Sequence, residues 1–77
     1  MTPVDITEFI DLPYRVEVVA EKLSNGESVY VAHHPELEGC MSQGDSPDAA
    51  IASLREAREM YLRVLARRGL PIPRPAP

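Results

Sequence analysis

The chain has 77 residues, enough for one small domain whose core buries too little surface to be very stable alone. Apolar residues make up 44% and charged residues 26%, which excludes a disordered chain, and one cysteine excludes an internal disulfide framework. The net charge of −4 is uneven: residues 1–48 hold ten acids and two bases, while residues 49–77 hold two acids and six bases. An acidic first part argues against simple nucleic-acid binding and suits a basic protein partner.

The chain order divides into an acidic leader (1–13), a folded domain (14–70) and a proline-rich tail (71–77). The leader carries Asp5, Glu8 and Asp11 with no Lys or Arg before Leu12, unlike a signal peptide. With no long apolar run in the chain, this fits a cytoplasmic protein without a membrane span. Val4–Ile6 and Phe9-Ile10 are candidates for a short additional strand.

Tyr14–Leu23 and Glu27–His33 are valine-rich and alternating, and Asn25-Gly26 lies between them. The reading is a β-hairpin closed by a two-residue type I′ turn. That register sets Val18 opposite His33, Ala20 opposite Val31 and Lys22 opposite Val29. One face then holds Tyr14, Val16, Val18, Ala20, Val29 and Val31. The other holds Arg15, Glu17, Glu21 and Ser28, but also Val19, Tyr30 and Ala32. That mixture marks it as a second packing face or an interface.

After the loop from His34 to Gly39, Cys40–Gln43 reads as a short third strand ended by Gly44. A helix is expected over Pro47–Arg68, capped by Ser46 or Asp45, with Pro47 and Asp48 in its first turn and Gly69 as its stop. Its apolar stripe is Ala50, Ile51, Leu54, Ala57, Tyr61, Val64 and Leu65, laid across the apolar sheet face. The tail from Leu70 to Pro77, with four prolines, is expected to be extended and loosely docked. The class is therefore α+β: an antiparallel sheet with one long helix packed on one face.

The residues give little support to catalysis. His33 and His34 are neighbours on a strand and point to opposite faces, so they do not chelate one metal together. Cys40 reads as a buried, inert thiol rather than a nucleophile. Capping accounts for Asp45 and Asp48 without a magnesium site. No phosphate loop, catalytic triad or zinc spacing occurs, so no enzyme activity, metal or cofactor is expected. The aromatic residues Phe9, Tyr14, Tyr30 and Tyr61 do not interleave with a basic strand, so no RNA-stacking platform is indicated.

The run His34-Pro35-Glu36-Leu37-Glu38-Gly39-Cys40-Met41-Ser42-Gln43-Gly44-Asp45-Ser46-Pro47-Asp48-Ala49-Ala50, with the exit Gly69 to Pro75, resembles the HicB family of antitoxins. The resemblance covers roughly residues 14–75; order and spacing together make it specific. It implies a partial ribonuclease-H-like β-β-β-α core without nuclease activity. It also implies self-association as a dimer or tetramer, and neutralisation of HicA, a small basic mRNA-cleaving toxin, by covering its surface. Many family members carry a C-terminal DNA-binding domain and a fourth strand. This sequence stops at Pro77, so direct DNA binding is not expected. The residues placed at the partner interface are Glu17, Glu21, Glu36 and Glu38 for electrostatic steering and Val19, Tyr30 and Leu37 as apolar anchors. The alternative is an orphan, homo-oligomeric module without a toxin partner.

Overall fold

Asn25-Gly26 does make the hairpin turn, but by a different geometry from the one expected. Leu23 carbonyl accepts from Gly26 N–H at 3.0 Å, and Leu23 N–H donates to Glu27 carbonyl at 2.7 Å. Gly26 has φ +88°, while among the described residues no non-glycine has positive φ. This is a three-residue loop, a type I turn followed by a glycine bulge, not a two-residue type I′ turn. Asn25 adds a side-chain clasp, its Oδ1 accepting from Glu27 N–H at 3.0 Å.

The longer loop moves the register by one residue. In the computed structural model, which describes residues 6–75, β1 (Glu17–Lys22) pairs antiparallel with β2 (Ser28–His33). Val18 lies opposite Ala32, Ala20 opposite Tyr30 and Lys22 opposite Ser28. β3 (Met41–Gly44) pairs with β2 on its other side, so the order is β1-β2-β3. A one-residue slip exchanges faces along a whole strand. Val29 and Val31 therefore do not share a face with Val18 and Ala20, as the predicted register had them. They share one with Val19. The face turned to the helix carries Val18, Ala20, Tyr30, Ala32, Ser42 and Gly44 instead.

The helix α2 (Pro47–Arg67) starts where expected and ends one residue earlier, with Arg68 as its C-cap. Ser46 Oγ caps it, accepting from Ala49 N–H at 3.1 Å, with Pro47 and Asp48 in the first turn. At the other end Gly69 N–H reaches Ala66 carbonyl and Leu70 N–H reaches Leu65 carbonyl. With Gly69 at φ +68°, this is a Schellman stop. The buried stripe is Ala50, Leu54 and Leu62, with Ala57 and Tyr61 packed beside it. Ile51 and Val64 of the expected stripe stay exposed at 41% and 43%, one at each margin of the helix: Ile51 beside Val16, where β1 is largely uncovered, and Val64 beside Gly39, Cys40 and Met41, past the edge of β3.

Small residues let this helix press onto β3. A Cβ on Gly44 would lie 2.6 Å from Ala50 N and 2.8 Å from Ala49 C, both helix backbone atoms. Ser42 Oγ donates to Ala50 carbonyl at 2.8 Å across the same contact. The leader and the tail close the other end of the helix. Thr7–Ile10 forms one helical turn, α1, so Phe9-Ile10 is not a strand; Val4 lies outside the described residues. Ile6 is buried, and Phe9, Leu12 and Ile72 pack against the core. Tyr14 hydroxyl donates to Pro73 carbonyl at 2.7 Å, and Arg74 bonds Glu8 and lies over the Phe9 ring. No helix among the described residues is long and apolar enough to cross a membrane.

Candidate protein interface

The loop between β2 and β3 is fastened at each of its corners. His34 N–H donates to Cys40 carbonyl, Leu37 N–H to His34 carbonyl and Cys40 N–H to Leu37 carbonyl, with Gly39 at φ +82°. Leu37 is fully buried in the core, and Glu38 carbonyl accepts from Tyr61 hydroxyl at 2.8 Å. The Glu36 carboxylate accepts from Arg15 N–H at 3.1 Å, which ties the loop to the start of β1.

His34 is the polar centre of this arrangement and is buried. Its Nδ1 lies 2.7 Å from Arg15 carbonyl; a carbonyl only accepts, so Nδ1 carries the proton. Nε2 faces Arg58 Nη1 at 3.4 Å and is left as the acceptor. Burial pushes the imidazole pKa below its usual value, and the Arg58 charge adds to this against the opposing effect of the hydrogen bond donated to the Arg15 carbonyl. The side chain is thus a neutral structural clamp. His33, its neighbour, points to the other face and lies 3.2 Å from Glu17. Cys40 is buried, and burial raises its thiol pKa, which makes it a poor nucleophile. Among the described residues no group of three His, Cys, Asp or Glu side chains is placed to hold a metal ion.

The face of the sheet turned away from α2 has no covering element among the described residues. It carries Glu17, Val19 and Glu21 from β1, Val29, Val31 and His33 from β2, and Met41 and Gln43 from β3. Val19 is 51% and Met41 57% exposed. Carboxylates thus lie on either side of an apolar strip along β1. The seven residues selected from sequence divide. Glu17, Val19 and Glu21 come together on this open face, and Glu38 is exposed on the loop. Tyr30 lies on the helix side, half-buried against the core, and Leu37 is inside it. The valines of β2 and Met41 were missed as members of this face. The signal that finds them is the glycine bulge at Gly26, which sets the parity of the hairpin.

A model of the HicB-like antitoxins of bacterial toxin–antitoxin systems matches residues 3–77. A UPF0150 protein of Synechocystis sp. is 39% identical over 61 residues, covering 79% of this chain and 75% of that protein. A UPF0150 protein of Helicobacter pylori is 45% identical over 47 residues, which is 61% of this chain and 61% of that one. Both relatives are of the same family. No solved structure matches the chain.

Proposed function

The chain belongs to the HicB-like antitoxin family, and from that premise we propose that it neutralises a HicA-type, mRNA-cleaving toxin by binding over its surface. The observation that carries this reading is the family match along nearly the whole chain. The open sheet face supports it. Glu17 and Glu21 flank Val19 there, a pattern suited to a basic partner with an apolar contact point. On this reading Glu17, Glu21 and Glu38 steer the encounter and Val19 is an anchor. Glu36 and Leu37 hold the loop in shape, and Tyr30 backs the sheet from within. The β-β-β-α unit, read as a partial ribonuclease-H-like core, then serves as a scaffold, and binding in the cytoplasm needs no cofactor.

The test is a tagged pulldown from the native host, with the mass of the eluted complex measured by size exclusion and light scattering. A stoichiometric small basic protein whose RNA cleavage stops when the chain is added supports the reading. A clean homo-oligomer carrying nothing overturns it in favour of the second reading, an orphan self-associating module. What favours the second reading is the six-residue open edge of β1, which has neither proline nor bulge.

A further inference from the structure

Hydrogen-bonded and non-bonded pairs alternate along an antiparallel ladder. Leu23 bonds to Glu27 at the hairpin end. The bonded pairs are therefore Glu21–Val29, Val19–Val31 and Glu17–His33. The same alternation appears across β2 and β3, where His34 N–H reaches Cys40 carbonyl. Arg15 continues the pattern, its carbonyl and N–H turned inward to His34 and Glu36. The N–H and C=O groups of Val16, Val18, Ala20 and Lys22 consequently point away from the sheet.

β1 is an edge strand, and every one of its residues is exposed. Edge strands are commonly protected by charged side chains, a proline, a bulge or shortness. β1 runs six residues with neither proline nor bulge, and a single lysine sits at its far end. Val16, which lies beside Ile51, and Val18 are 43% and 36% exposed. β3 is also an edge, but it is four residues long and uncharged.

We propose that this edge is the seam between two copies of the chain, joined antiparallel about a twofold axis at Val18. The seam rests on the reading of the chain as self-associating and is independent of any toxin. The charge order of the strand selects the copy as occupant and sets the register. Centred on Val18, Arg15 lies opposite Glu21 of the partner subunit, once at each end. Val16 faces Ala20 of the partner subunit and Val18 faces its own counterpart, all with outward backbone groups that can bond. Centring on Val19 would oppose Glu17 to Glu21, and centring on Glu17 would oppose Glu17 to itself. Like charges directly opposite are destabilising. Centring on Ala20 opposes no charged pair. Centring on Val16 would also pair unlike charges, Arg15 with Glu17, but it leaves β1 from Val19 to Lys22 without a partner strand. Of the registers that join β1 along its length, the one centred on Val18 pairs unlike charges, and it also buries Val16 and Val18 across the seam. The result is a six-stranded sheet with both helices on one side and both open faces continuous on the other.

The experiment is sedimentation equilibrium on the full chain at high micromolar concentration, where the wild type is expected at twice the chain mass of 8.5 kDa. Val18→Pro removes an N–H that points out of the sheet, a change edge strands tolerate. It should give a monomer with an unchanged far-UV circular dichroism spectrum. Arg15→Glu and Glu21→Arg should each weaken the dimer about tenfold, and the double swap should restore it. The swaps keep the seam testable if the proline variant does not fold. A folded Val18→Pro dimer overturns the seam while leaving self-association standing. A monomeric wild type overturns both. A double swap no tighter than either single change overturns the register.

Discussion

β2 and β3 differ from β1 in what lies on their two sides. Ala32 is fully buried beneath α2, Gly44 touches the helix backbone and Ser42 bonds to it. β1 has a paired neighbour on one edge and little on either face. The stability of the domain therefore resides in the unit of β2, β3, α2 and the clamped loop. β1 is held mainly by its ladder and by the Arg15–His34–Glu36 connection. A protein this small places its free surface where change costs least to the fold, and that surface is the one available for binding.

The sharpest way to break this contrast is in the core. Leu54→Ala or Leu62→Ala should cost about 2–5 kcal/mol, since both side chains are fully buried. For a domain of this size that is much of the total stability. Urea unfolding should show a large fall in midpoint or an unfolded chain. Val18→Ala on β1 should move the midpoint far less.

Gly44→Ala comes next. The added methyl would meet helix backbone atoms, which cannot turn aside as a flexible side chain can. A loss of about 1–3 kcal/mol is expected, read from the same unfolding curves. Ser46→Ala removes the N-cap and should cost about 1 kcal/mol. If Gly44→Ala proves milder than Ser46→Ala, the contact between β3 and α2 can open to admit a methyl group.

The loop clamp adds a pH dependence of known sign. Burial holds the His34 pKa below the ordinary 6.5. The unfolded chain therefore takes up the proton first as pH falls, and the neutral clamp's contribution is present in full above pH 6.5. It is lost progressively as pH drops below that value toward the lowered folded one. Thermal melts across this window should show a falling midpoint that His34→Gln flattens. A midpoint equally steep in the variant would assign the dependence to other groups.

Much of this architecture is legible in the chain. Ser46, Pro47 and Gly69 mark the helix because each does a job there that few residues do as well. The opposite orientation of His33 and His34 and the burial of Cys40 follow from strand parity and thiol chemistry. The register was not legible, because Asn-Gly serves both a two-residue and a three-residue loop. Nor did the pattern decide, since both strands carry apolar side chains at odd and even positions. The helix stripe erred for a related reason. Periodicity finds the apolar arc, but it does not show that Ile51 lies past the edge of cover while Leu62 is buried in the core that the leader and tail help to close. Of the residues proposed for the interface, Glu17, Val19 and Glu21 lie together on the open face because alternate residues on one strand keep their parity together. Leu37 looked like an anchor because its turn contacts are invisible in sequence.

The smallest effect on stability should come from the open face, and there the largest effect on binding is expected. Glu17 is exposed, and its contacts with Arg15 and His33 are surface pairs of the kind worth little. Glu17→Gln should leave the unfolding midpoint nearly unchanged. If this face meets a basic partner, the same change should slow association and reduce its dependence on salt, because rim charges act chiefly on encounter. Val19→Ala should instead speed dissociation, since an apolar anchor acts once the surfaces have met. Surface plasmon resonance with the captured partner separates the two. Unchanged rates in both variants would move the contact away from the open face toward the loop at Glu38. A change in folding stability for either would mean that β1 is more closely integrated with the core than its exposure implies.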